Sequence, residues 1–167
     1  MKVIQVVGYK NAGKTTLVSQ LVRELTARGQ RVGTLKHDAH DFEPDVPDTD
    51  TWQHRQAGAH ITAITSPSRT AWVQERTTAI EDLILSMQQH ALDYLVIEGF
   101  KSASYPKAVL LRNEQDLELL SLTNVVAVLL REPNNSLQSQ AEARSIPLFI
   151  QTDLLTDTAV IHYLLGL

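Results

Sequence analysis

A chain of 167 residues has room for one compact domain with its own core, but not for two of ordinary size. Its 43% hydrophobic and 20% charged residues exclude wholesale disorder, and a net charge of −4 leaves no sequence-wide footprint for nucleic acid. Cysteine is absent, which excludes disulfides and thiolate metal sites. The Met1–Val7 stretch is too quickly interrupted for a signal peptide, and no apolar run nears the ~20 residues of a membrane span, so a cytoplasmic protein is expected.

Val3 to Val7 is a β-branched run ending at Gly8 and reads as a buried first strand. Leu17, Leu21, Val22 and Leu25 then recur at helical spacing up to Gly29, a C-terminal stop, and Val32 to Leu35 reads as a second strand. Strand, helix, strand is a βαβ unit and implies a parallel sheet. From Lys36 to about Asp50 the chain is polar and carries Pro44 and Pro47, which predicts a long exposed loop. Thr51 to Gly58 is a short helix. Ile61 to Thr65 and Thr70 to Gln74 flank Ser66-Pro67-Ser68-Arg69 as a β-hairpin.

Thr78 with Glu81 forms a capping box ahead of Ile80, Leu83, Ile84 and Met87, a third helix. Leu92 to Ile97, Lys107 to Leu111 and Val125 to Leu130 read as further strands. Asn135 with Gln138 caps a helix running through Arg144, Leu148 to Ile150 is a last short strand, and Leu154 to Leu165 is a closing amphipathic helix. The alternation predicts an α/β three-layer sandwich with a mostly parallel sheet, a β-hairpin extension, and a single domain over residues 1–167.

Gly8-Tyr9-Lys10-Asn11-Ala12-Gly13-Lys14-Thr15 fits G-x-x-x-x-G-K-[ST] without a mismatch, the signature of a phosphate-binding (P-loop) nucleotide fold. Glycine at Gly8 and Gly13 permits close backbone approach. The N–H groups of Asn11, Ala12, Gly13, Lys14, Thr15 and Thr16 can then point inward at a β-phosphate, at the start of a helix. Lys14 supplies a cation between the β- and γ-phosphates, and Thr15 a hydroxyl for Mg²⁺. Four fixed positions match by accident in roughly one per cent of chains this size. This match also lies between a strand and a helix, which decides in favour of the functional reading.

Asp93-Tyr94-Leu95-Val96-Ile97-Glu98-Gly99 ends an apolar strand on Glu98, where a P-loop fold turns a carboxylate toward Mg²⁺. Asp93, at the other end of that strand, should lie far from the phosphates. Lys101 is close enough to Glu98 in sequence to reach a phosphate or an anionic partner. After the second strand, Lys36-His37-Asp38-Ala39-His40-Asp41 suits a switch-like loop over the γ-phosphate, with Asp38 as a second carboxylate near Mg²⁺ or the attacking water. Asp38 and His37 are the candidates for orienting that water. A solvated acidic loop is the plain alternative. The density of His and Asp also permits a transition metal, although no H-E-x-x-H spacing is present. Base choice stays open: Asn113-Glu114-Gln115-Asp116 resembles N-K-x-D without its lysine, and Thr152-Asp153 is another position from which an acid could reach a base.

Taken together, Gly8 to Thr16, Lys36-His37-Asp38-Ala39-His40, Asp45-Val46-Pro47, His54-Arg55-Gln56-Ala57-Gly58-Ala59 and Val96-Ile97-Glu98-Gly99-Phe100-Lys101 resemble the MobB family of molybdopterin-guanine dinucleotide biosynthesis. The resemblance spans most of residues 1 to about 112. It implies a GTP-binding, weakly GTP-hydrolysing homodimer with Mg²⁺ as cofactor, in which Lys14, Thr15 and Glu98 stabilise charge. It also implies assistance to a guanylyltransferase that joins GMP to molybdenum-bound molybdopterin, and a dimer-forming role for the hairpin. One departure is visible: family members commonly carry Pro-Gly-Lys-Asp-Ser or Thr where this chain has Pro47-Asp48-Thr49-Asp50-Thr51. Two other classes share parts of the pattern. A P-loop small-molecule kinase would need an arginine-rich lid, whereas Arg69, Arg76, Arg112, Arg131 and Arg144 are scattered; a GTPase metallochaperone would use the His/Asp loop.

Overall fold

A computed structural model describes residues 1–150 and 158–166. Among these residues eight strands and five α-helices follow one another as β1 (Lys2–Gly8), α1 (Lys14–Ala27), β2 (Val32–Lys36), α2 (Asp50–Gln56), β3 (Ile61–Thr65), β4 (Thr70–Gln74), α3 (Ile80–Gln88), β5 (Tyr94–Glu98), β6 (Lys107–Leu111), β7 (Val125–Leu130), α4 (Asn135–Glu142), β8 (Leu148–Ile150) and α5 (Thr158–Gly166). A 3-10 helix, Glu114–Ser121, lies between β6 and β7. The chain forms two compact units, Met1–His37 with Leu83–Leu167, and Asp38–Asp82.

The first unit is built on a six-stranded parallel sheet in the order β2-β5-β1-β6-β7-β8. Every residue of β6 is buried, because a central parallel strand is covered on both faces. On one face Leu17, Leu21 and Leu25 of α1 pack with Val160, Ile161 and Leu164 of α5 over Ile4, Val6, Val96 and Leu110. On the other, Leu119 and Leu120 of the 3-10 helix and Leu137 and Ala141 of α4 cover Val7, Val109, Leu111, Val128 and Leu130. The three layers follow from this, each buried Leu contributing roughly 1.5–3 kcal/mol. The second unit contains α2 and the two-stranded antiparallel sheet of β3 and β4.

Most elements lie where hydrophobic periodicity places them, with displaced ends. The strand expected over Leu92 to Ile97 is Tyr94–Glu98, so Glu98 is itself its last residue. The cap of α4 is Asn134 rather than Asn135: the Asn134 side chain accepts from the Leu137 N–H at 3.0 Å, and the helix ends at Glu142. Asparagine occupies both positions, and only the one in extended backbone (φ −143°, ψ 110°) can turn its oxygen back onto the first turn. The closing helix is described from Thr158; its expected start at Leu154, like Thr152-Asp153, lies outside the described residues. Among the described residues no helix is long and apolar enough to cross a membrane.

Candidate phosphate-loop site

The strand order puts β1 between β5 and β6, so the C-terminal ends of three neighbouring strands converge on one rim: Gly8, Glu98, and Leu111 with Arg112. Ligands bind at this end of open parallel sheets. Gly8 is required by crowding rather than by backbone angle, since a Cβ there would meet the Leu110 carbonyl at 3.0 Å and the Ala12 Cβ at 3.2 Å. Beyond it the loop turns through two left-handed residues, Asn11 (φ 65°) and Gly13 (φ 97°), before α1 begins at Lys14. Alternation of this kind turns successive N–H groups toward a common point.

The Lys14 Nζ donates to the Tyr9 carbonyl at 2.9 Å. Burial holds its ammonium below the ordinary lysine range, with Lys101, Lys36 and Arg112 adding to the effect and Glu98 opposing it. Several cations therefore share one small region, and an anion placed among them would relieve their mutual repulsion. The Thr15 hydroxyl lies 3.1 Å from both Glu98 carboxylate oxygens, so the proposed hydroxyl and carboxylate ligands of Mg²⁺ stand side by side, on a buried Glu98. These donors suit Mg²⁺, which takes oxygen ligands and keeps several waters.

His37 is brought to the same rim by pairing of β2 with β5: its N–H donates to the Glu98 carbonyl at 2.9 Å and its ring lies 4.8 Å from that of Phe100. Gly99 takes φ 90°, and a Cβ on it would meet the His37 Cβ at 3.1 Å. Lys101 follows, its Nζ 3.5 Å from the centre of the Tyr9 ring. Asp38 falls in the second unit, where its carboxylate accepts from the His40 N–H at 3.2 Å. Asp93, at the opposite end of β5, accepts from the Arg31 N–H at 2.8 Å, away from the rim as expected.

Arg112 is the participant that sequence reading missed. Scattered among other arginines in the chain, it is delivered to the phosphate loop by the adjacency of β6 and β1. Its Nη1 donates to the Lys10 carbonyl at 3.2 Å and its guanidinium stands 5.3 Å from the Tyr9 ring centre. Buried Asp116 holds it in a fork, accepting from Nε at 2.9 Å and Nη2 at 2.7 Å. The same contact engages the Asn113 to Asp116 stretch within the fold. The Asp116 carboxylate is spent on Arg112, and the Asn113 side chain caps the 3-10 helix by accepting from the Gln115 N–H at 3.0 Å. The Tyr9 hydroxyl bonds Glu118 of the same helix.

In the second unit Arg55 of α2 gathers Glu43, Asp45 and Glu75, and their hydrogen bonds raise its guanidinium further above the ordinary arginine range. Among the described residues no three His, Asp or Glu side chains form a cluster able to hold a metal ion. Asp48, which stands where the family pattern carries glycine, takes the left-handed φ of 69°, a conformation aspartate tolerates better than most side chains.

Comparison with known proteins agrees with this architecture. The family profile "Molybdopterin guanine dinucleotide synthesis protein B" matches residues 3–131. The probable molybdopterin-guanine dinucleotide biosynthesis adapter protein of Bacillus subtilis (strain 168) is 33% identical over 166 residues, covering 98% of this chain and 94% of that protein. The adapter protein of Escherichia coli (strain K12) is 37% identical over 135 residues, 76% of this chain and 77% of its own. The crystal structure of a MobB homologue from Bacillus stearothermophilus superposes with a TM-score of 0.77 at 31% identity, over 99% of this chain and 97% of that one. Fold, phosphate loop and sequence together place this chain in the MobB family.

Proposed function

We propose that the chain binds GTP with Mg²⁺ on the loop Gly8 to Thr16 and acts as an accessory protein of molybdopterin-guanine dinucleotide synthesis. The observation that carries the nucleotide reading is the pairing of Thr15 with Glu98 beside a phosphate loop ringed by Lys14, Lys36, Lys101 and Arg112. The adapter role is supported by the relatives' names. In this reading backbone N–H groups from Asn11 to Thr16 and Lys14 would hold the phosphates, and Thr15 and Glu98 would hold Mg²⁺, which would supply positive charge to offset the negative charge of the phosphates. Lys101 adds charge, while His37 and Asp38 are the residues from which a water could be oriented. Hydrolysis is slow and secondary to delivery of the nucleotide to a guanylyltransferase that joins GMP to molybdopterin. The protein works in the cytoplasm as a single-domain homodimer, a role for which the hairpin is suited: Ile61, Ile64 and Trp72 are exposed hydrophobic side chains on β3 and β4.

Calorimetric titration with GTP and with ATP, each with Mg²⁺, tests the reading. Tighter binding of GTP is the expected result. Tighter binding of ATP would bring forward a small-molecule phosphotransferase, the second reading, which the arrival of Arg112 at the loop favours. Glu98→Gln should leave metal-free nucleotide binding nearly unchanged while removing most of the gain that Mg²⁺ confers, a loss of about tenfold or ~1.4 kcal/mol. Titrations in Mg²⁺ and in chelator read this directly; an undiminished Mg²⁺ effect would exclude Glu98 as a metal-facing residue.

A further inference from the structure

The connection from β5 to β6, residues 99–106, must pass β1 to return to the start of a parallel strand, and it does so with no helix. Crossovers between parallel strands ordinarily take a dozen or more residues and a helix, whose ladder satisfies the backbone. Here the backbone closes a turn, the Ala103 N–H donating to the Phe100 carbonyl at 2.9 Å, but no helical ladder runs along the segment's carbonyls. Two fully buried polar side chains meet them: Gln5 in the middle of β1 and Lys107 at the start of β6. These are register neighbours on adjacent strands and so share a face of the sheet.

The Gln5 Nε2 donates to the Gly99 carbonyl at 2.7 Å and the Phe100 carbonyl at 2.6 Å. The Lys107 Nζ donates to the Ala103 carbonyl at 2.6 Å and to the Thr123 carbonyl at 2.5 Å. Asn124 adds a bond from Nδ2 to the Ser104 carbonyl at 2.9 Å. Neither buried side chain is placed there cheaply. Burial drives the Lys107 ammonium below the ordinary lysine range, and the Gln5 Oε1 has no hydrogen-bond partner among the described residues. A methionine and a leucine would fill the same space without desolvating a charge or an amide. What the polar pair supplies is fixation of the crossover at Gly99 and Phe100 on one side of Lys101 and at Ala103 on the other. Between these pins Lys101 stands against Tyr9 of the phosphate loop.

We propose that Gln5 and Lys107 are positioning residues that hold Lys101 at the phosphate loop, making the 99–106 crossover a fixed cation-bearing platform. The inference rests on the nucleotide reading only for what Lys101 does there, not for how it is held. Its test has two arms. In the first, Lys101→Ala, Lys107→Met and the double variant are titrated with a fluorescent GTP analogue and Mg²⁺. Each single variant should weaken binding about five- to tenfold, and the double variant less than about twofold further, because the two changes remove one contribution. A purely structural lysine would lower Tm while Lys101→Ala cost the same factor in both backgrounds, and that result overturns the proposal.

The second arm needs no nucleotide. In reductively ¹³C-methylated protein, Lys101 should titrate below an ordinary lysine, because burial outweighs the attraction of Asp116 and Arg112 adds to the effect of burial, and return upward in Lys107→Met as it leaves the loop. Unchanged titration of Lys101 overturns the proposal. A parent protein that binds no GTP would overturn the nucleotide reading alone, leaving this arm to decide the clamp. Should Lys107→Met fail to fold, Gln5→Leu removes the pins at Gly99 and Phe100 and is read in the same two ways.

Discussion

Lys14→Ala should abolish triphosphate binding, weakening it by about a hundredfold or more, at least ~2.7 kcal/mol, while the protein stays folded. The two halves of this expectation have separate physical grounds. The binding half follows from an Nζ that donates to the Tyr9 carbonyl at 2.9 Å, and from an ammonium already held below the ordinary lysine range by burial, against the pull of Glu98 and with Lys101, Lys36 and Arg112 adding to the effect. A cation kept among other cations at a helix start stabilises an anion in the loop far more than it stabilises the empty fold. The folding half follows from its place as the first residue of α1, where alanine is an equally good helix former and the buried side of the helix is carried by Leu17, Leu21 and Leu25. Titration with a fluorescent GTP analogue, beside thermal unfolding, separates the two. A variant that unfolds normally and still binds GTP like the parent would remove the phosphate-loop assignment.

Asp116→Ala should cost about 1.5–3 kcal/mol of stability, the range for hydrogen bonds to a charged group, and lower Tm by roughly 3–12 °C. Asp116 is fully buried and accepts from the Arg112 backbone N–H at 2.9 Å as well as from the guanidinium fork, so its loss strands donors on both. Those hydrogen bonds hold its carboxyl below the ordinary aspartate value of 3.8, with burial opposing them. A carboxyl depressed in the folded state gives stability that is complete above its unfolded pKa and is lost as pH falls through the folded one. The gap in Tm between parent and variant should therefore be full at neutral pH and close only as the medium is taken well below pH 4. Because Arg112 also bonds the Lys10 carbonyl, nucleotide affinity should fall together with stability. A gap that persists unchanged into strong acid would show that the fork contributes packing and not charge.

The strands, most helices and the phosphate loop were legible because near-neighbour chemistry determines them. A β-branched run closing on Gly8, leucines at helical spacing in α1, and a glycine where a Cβ would strike Leu110 each express a local steric demand. The 3-10 helix escaped notice because its Asn113 and Asp116 looked like an open base-reading element until their partners were visible. Arg112 was unreadable for a related reason: Lys10, whose carbonyl it bonds, is 102 residues away.

What the sequence determined by itself was therefore the local conformation of most segments and the residue types of the loop Gly8 to Thr16, since backbone sterics and side-chain type act within a few residues. Only the tertiary structure decided that β1 lies between β5 and β6. That order sets Glu98 against Thr15 and brings Arg112 and Lys101 onto either strand-end beside Tyr9, with the helix-free crossover from β5 to β6 bonded by Gln5 and Lys107. Strand order is settled by which faces can be buried together once the crossovers close, a balance over the whole sheet that no short window of residues expresses.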